Sequence, residues 1–153
     1  MGPQGMLALA RKLASLLLAV CFFMPLSTCT TRVESHGAVT VTDSHRTGVT
    51  LTREGWNASQ AGDAGGATKL LVVLEVFFLP LLCWRFPELP QALAHVAGAL
   101  PAGAFLLSWM FVFSTSSRIG GWVALLCWAF LFVAGMVTLW RHWRRRRAAA
   151  VQS

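Results

Sequence analysis

The chain has no tyrosine, only two lysines (Lys12 and Lys69) and six acidic residues among 153, and charged residues make up 12% of it. With 56% of the residues hydrophobic, so few charges leave too little polar surface for an ordinary water-soluble domain. Also missing are a Gly-rich phosphate loop, HExxH, GxSxG and any paired-carboxylate pattern, so the sequence predicts a protein that is not an enzyme. The four cysteines, Cys21, Cys29, Cys83 and Cys127, have no CxxC or other zinc-like spacing. Three of them lie inside apolar runs and read as small packing residues. No metal or cofactor is expected. His36 and His45 flank a turn but have no cysteine nearby and read as solvated loop residues, and His95, lacking a second histidine at matching depth, is not a haem-type ligand but an interface histidine.

What the chain does have is long apolar runs, which make the bilayer its solvent. Its basic residues are nearly all arginine, and it is rich in alanine, glycine and leucine. That composition reads as a high-GC bacterial genome, which leaves the Asn57-Ala58-Ser59 sequon without meaning.

The first run follows Arg11-Lys12 and extends from Leu13 to about Leu26. Residues 1–29 have three readings: a retained spanning helix, a cleaved signal sequence, or a lipoprotein signal. The third rests on Leu26-Ser27-Thr28-Cys29, which resembles a bacterial lipobox and would make Cys29 the lipidated residue, although Thr28 stands where that pattern wants Gly, Ala or Ser. All three send residues 30–68 out of the cytoplasm. This polar loop contains two alternating β-branched stretches, Ala38–Thr42 and Val49–Arg53, and they predict a hairpin over 38–53 with Val39, Val41, Val49 and Leu51 on one face. A lone hairpin is marginal in water, so it needs a partner surface. Residues 61–66 read as a flexible linker.

Three further runs predict a helical bundle over about 69–84, 91–113 and 122–140. The first is short and carries Pro80. The second carries Pro101, where a kink is expected and a neighbouring helix can satisfy the freed carbonyl. Its spacings Ala94 to Gly98 and Ala99 to Gly103 suit close helix approach. The fold class is therefore an all-α membrane protein with three to four transmembrane helices and a small extracytoplasmic β-hairpin. With four passes, Arg11, Lys12, Arg85 and the tail arginines fall on one side, against Arg32, Arg46, Arg53, Lys69 and Arg118 on the other. The positive-inside rule then puts both termini in the cytoplasm, in a multi-pass protein of the bacterial inner membrane.

Glu75 is the feature that an inert anchor does not need. It sits within an apolar run, where a carboxylate costs about 2.5–3.5 kcal/mol on insertion scales. Counting depth along each span makes Ser108, Trp109 and Trp128 its expected partners. One reading is a proton or cation site; the blander is polar glue between helices. The basic tail of residues 141–153, with Arg141, Arg144, Arg145, Arg146 and Arg147, fixes topology and is suited to anionic lipid. No nucleic acid is expected. The overall expectation is a non-catalytic interaction or accessory protein, with an envelope or membrane protein or a second copy as partner. The alternatives are a small proton or cation transporter or channel component using Glu75, and a self-associating pore of the holin kind.

Overall fold

A computed structural model gives the structure of residues 3–35, 38–112 and 116–151. His36, from the candidate histidine pair, lies outside the described residues, as does Phe113 at the expected end of the 91–113 run. The protein is mostly helical, and a small antiparallel hairpin sits at one end of a helical bundle.

Helix α1, Pro3–Cys21, leads into strand β1, Pro25–Ser35, which pairs antiparallel with β2, Ala38–Thr47. Helix α2, Gly48–Gln60, follows, then α3, Ala64–Leu82, a 3-10 turn at Cys83–Arg85, and α4, Glu88–Phe111. The two-residue strand β3, Ser116–Ser117, joins the other side of β1, giving the order β2-β1-β3, and α5, Ile119–Val151, completes the chain. Three segments are long and apolar enough to cross a membrane: Ala64–Arg85, Glu88–Phe111 and Ile119–Ala148. The α3 segment is not short after all. Its helix begins at Ala64, so its 22 residues rise about 33 Å, enough for a hydrocarbon core of about 30 Å.

The hairpin lies further toward the N-terminus than its alternation predicts. Val49–Arg53 is not a strand but part of α2. The Thr47 side chain caps the helix by accepting from Thr50 N–H, while Thr50 Oγ1 accepts from Thr47 N–H, forming a capping box. From there Gly48, Leu51 and Gly55 recur at helical spacing and are all buried. Five alternating residues fit either structure, and the cap with its three-and-four spacing decides for the helix. The partner of β2 is instead β1, whose Thr28, Thr30, Thr31 and Val33 suit a strand and whose only proline stands at its first residue. The expected linker at 61–66 is also a built turn. Asp63 N–H donates to Ala58 O and Gly62 N–H to Ser59 O, with Gly62 at φ 83°, which ends α2 in a left-handed residue that favours glycine. Asp63 then caps α3 through Gly65 N–H, and Gly66 is buried against α2.

Helices α1, α3, α4 and α5 alternate in direction. The N-terminal half of α1 meets the C-terminal half of α5, where Arg11 reaches Ala134 and Thr138. Gly135 of α5 lets α4 approach closely, since a Cβ there would stand 3.0 Å from Ala92 O. At the other end Arg118 N–H donates to Leu26 O, and Trp109 of α4 donates to Ser27. The bundle thus has a hairpin end and a tail end. Its core holds Leu18, Cys21, Val76, Phe77, Leu106, Trp128 and Leu131, all nearly fully buried.

Candidate functional site

The polar groups inside the bundle fall into two places, around Glu75 and around Arg11. Glu75 projects from α3 beside the buried Val73, Val76 and Phe77 and is half-buried. Its carboxylate makes no hydrogen bond or ion pair among the described residues, and none of its three expected partners reaches it. Trp128 Nε1–H donates to Val76 O at 2.9 Å, Trp109 Nε1–H donates to Ser27 Oγ at 3.1 Å, and Ser108 is exposed.

The Trp128 bond has a specific cause. In a helix, Val76 O accepts from the N–H four residues on, but that residue is Pro80, which has none. The carbonyl is left over inside the core, and the indole N–H of α5 supplies what the proline cannot. At Pro80 a neighbouring helix thus satisfies the freed carbonyl. Trp128 therefore meets the backbone one residue from Glu75 and not its carboxylate, because the direction in which a ring points is not contained in its position along a helix.

Cys29, the candidate lipidation residue, lies within β1, opposite Ser44. Its carbonyl accepts from Ser44 Oγ at 3.2 Å. The residues before it are structural: Leu26, Ser27 and Thr28 are all buried. Of the histidines, His45 is paired through Thr28, 3.4 Å from its Nδ1, whereas His95 is fully buried within the bundle, with neither ring nitrogen hydrogen-bonded among the described residues.

Arg11 is the residue that sequence reasoning passed over as a topology charge. It is only 5% exposed. Its Nη2 donates to Ala134 O and to Thr138 Oγ1 of α5, while its buried Nε has no partner among the described residues. Lys12, the next residue, is exposed. The difference was present in the spacing. Arg11, Ser15, Leu18 and Phe22 recur at intervals of four, three and four, one inward face of α1, and all four are buried. Arg11 is close enough to His95, and to Glu88 at the start of α4, to interact with both electrostatically.

The tail arginines are not one block. Helix α5 continues through them, so each takes a face. Arg144 stacks over the Trp140 ring at 4.8 Å and Arg147 over Trp143 at 3.6 Å, which are cation–π contacts four residues apart. Arg141 and Arg145 lie on the face that continues Ala134 and Thr138, and with Arg11, Glu88 and His142 they line a cavity of about 110 Å³.

No protein family, curated protein or solved structure matches the chain. What the fold itself defines is a chain with three helices fit to span a bilayer, joined at one end by a small sheet.

Proposed function

We propose that the chain is a multi-pass protein of a bacterial inner membrane with α1 retained as a fourth pass, the hairpin outside and both termini in the cytoplasm. Retention is favoured by the place of α1 in the core, where Leu18 and Cys21 are fully buried while Leu13, Leu16, Leu17, Val20 and Phe23 turn outward as a lipid-facing stripe. The orientation follows the charges. The tail end has eight basic residues and one acid, the hairpin end five and four, and the more basic side is retained in the cytoplasm.

Its role on this reading is that of a non-catalytic accessory protein that engages an envelope partner through the hairpin. The observation that carries it is the outer edge of β2. Among the described residues, strand β2 pairs with β1 alone, which leaves its outer edge open. Exposed backbone donors and acceptors on an edge are a template for an added strand, and Val41 on β2 is 59% exposed. A photo-cross-linking residue at Thr42 is expected to give a discrete protein adduct in cells, and Val41→Lys to remove it without lowering the amount of protein. An absence of protein adducts at Thr42 would count against the reading; an adduct of twice the chain's mass would make the partner a second copy.

A second reading, a proton or cation site in a small transporter or channel component, is favoured by the carboxylate of Glu75, which stands unpaired among the described residues of a spanning segment. It predicts loss of flux in reconstituted vesicles for Glu75→Gln with unchanged folding, and it fails if flux is absent from the unaltered protein.

A further inference from the structure

The cavity at the tail end is a built one. It opens between the start of α1, the start of α4 and the tail of α5, and its polar wall is Arg11, Glu88, Thr138, Arg141, His142 and Arg145. Three guanidinium groups there meet a single carboxylate. Arg11 is almost wholly buried and has an unpartnered Nε, and His142 Nε2 is likewise buried without a partner among the described residues. Helix α4 begins here at Glu88 without a side-chain cap, so the partial positive charge of its N-terminus adds to the same place. A buried cation such as Arg11 is normally paired with an anion or extensively hydrogen-bonded, and among the described residues the one carboxylate of the cavity, Glu88, also faces the exposed Arg141 and Arg145.

We propose that this cavity is a binding site for a phosphate ester anion, held by Arg11, Arg141 and Arg145, with His142 as a further hydrogen-bond partner. Guanidinium forks match phosphate oxygens two at a time. The remaining wall, Leu7, Ala8 and Leu89, is apolar, which suits the glycerol and first acyl carbons of an anionic phospholipid; a free phosphate shares the recognition chemistry. This deepens the reading of the tail as a lipid-facing charge. It is independent of the hairpin's role and of the direction of insertion, because binding is measured on purified protein.

The discriminating comparison uses two double substitutions that each remove two positive charges from the same helix. Arg141→Gln with Arg145→Gln strips the cavity, and Arg144→Gln with Arg146→Gln strips residues that do not line it. The full chain in a neutral detergent is titrated with short-chain phosphatidylglycerol, short-chain phosphatidylcholine and inorganic phosphate, and bound ligand is counted by native mass spectrometry. The expected result is saturable binding of phosphatidylglycerol over phosphatidylcholine, weakened about tenfold or more by the first pair and less than about threefold by the second. Inorganic phosphate binding with the same dependence, and no gain from the lipid, would support the site and assign it to the free anion. Equal weakening by both pairs would show diffuse attraction to the tail and overturn the proposal, as would the absence of saturable binding of either phosphate compound. Both pairs lie at exposed positions, so the test does not depend on substituting Arg11.

Discussion

At the hairpin end of the bundle, basic and acidic residues nearly balance, and both ion pairs found among the described residues lie there: Glu54 binds Arg46 through one carboxylate oxygen and Lys69 through the other, the latter at 2.9 Å. Thr30 donates to Asp43, Arg118 donates to Thr28, and Asp63 caps α3. At the tail end eight basic residues stand against one acid, Glu88, and among the described residues four of the five buried polar atoms without a partner belong to it: Arg11 Nε, the two nitrogens of His95 and His142 Nε2. Arg46 Nε is the hairpin end's exception. One end has its polar groups matched within the chain, which is what a self-supporting small domain requires. The other holds cations that the described residues do not balance, which is what the proposed site for an outside anion requires.

The contrast predicts that substitutions at the hairpin end cost stability, whereas those at the tail end cost binding. The largest effect is expected from Gly66→Val, because a Cβ at Gly66 would lie 2.5 Å from Ser59 N and 2.6 Å from Ala58 Cβ. Separating α2 from α3 should cost about 3 kcal/mol, the upper part of the range for overpacking, read as a lower denaturation midpoint in detergent. Midway along the bundle, Trp128→Phe should cost about 2 kcal/mol by orphaning Val76 O. Adding Pro80→Ala, which restores the missing N–H, should recover part of that loss; no recovery would mean that packing, not the proline, explains the bond. Glu54→Leu should cost about 1 kcal/mol, since both of its ion pairs are partly exposed to solvent. The smallest effect is predicted for Arg11→Met. An apolar side chain of similar length in place of a buried, incompletely paired cation should leave the unliganded protein as stable as before or slightly more so, while phosphatidylglycerol no longer raises its melting temperature. A loss of several degrees without lipid would make Arg11 a structural group and blur the distinction between the ends.

The helical spans were legible in the sequence because long stretches with almost no charge have one physical solution in a bilayer. The sheet was legible only in half. Ala38–Thr42 lies in β2, but Val49–Arg53 alternates over too few residues to exclude a helix. Its true partner was concealed because Pro25–Cys29 also reads as a signal-cleavage region. Arg11 and Lys12 were read as one basic pair, although a helix sends adjacent residues about 100° apart and only the spacing to Ser15, Leu18 and Phe22 separates the inward one. For Glu75, matching depths proposed partners that helix rotation denies it. Pro80 was the better clue, since a missing N–H fixes which carbonyl must find a donor from elsewhere.

On the proposed reading, the two ends lie on opposite sides of the membrane in an uncleaved four-pass chain. This arrangement is tested most directly by impermeant maleimide labelling of intact cells carrying a single cysteine at Thr42 or at Arg146 in a background free of the four native cysteines, with the intact mass measured on the same protein. Labelling of Thr42→Cys from outside, labelling of Arg146→Cys only after permeabilisation, and a full-length mass are the predicted results. Labelling of Arg146→Cys in intact cells, or a mass that begins at or near Cys29, would contradict the account.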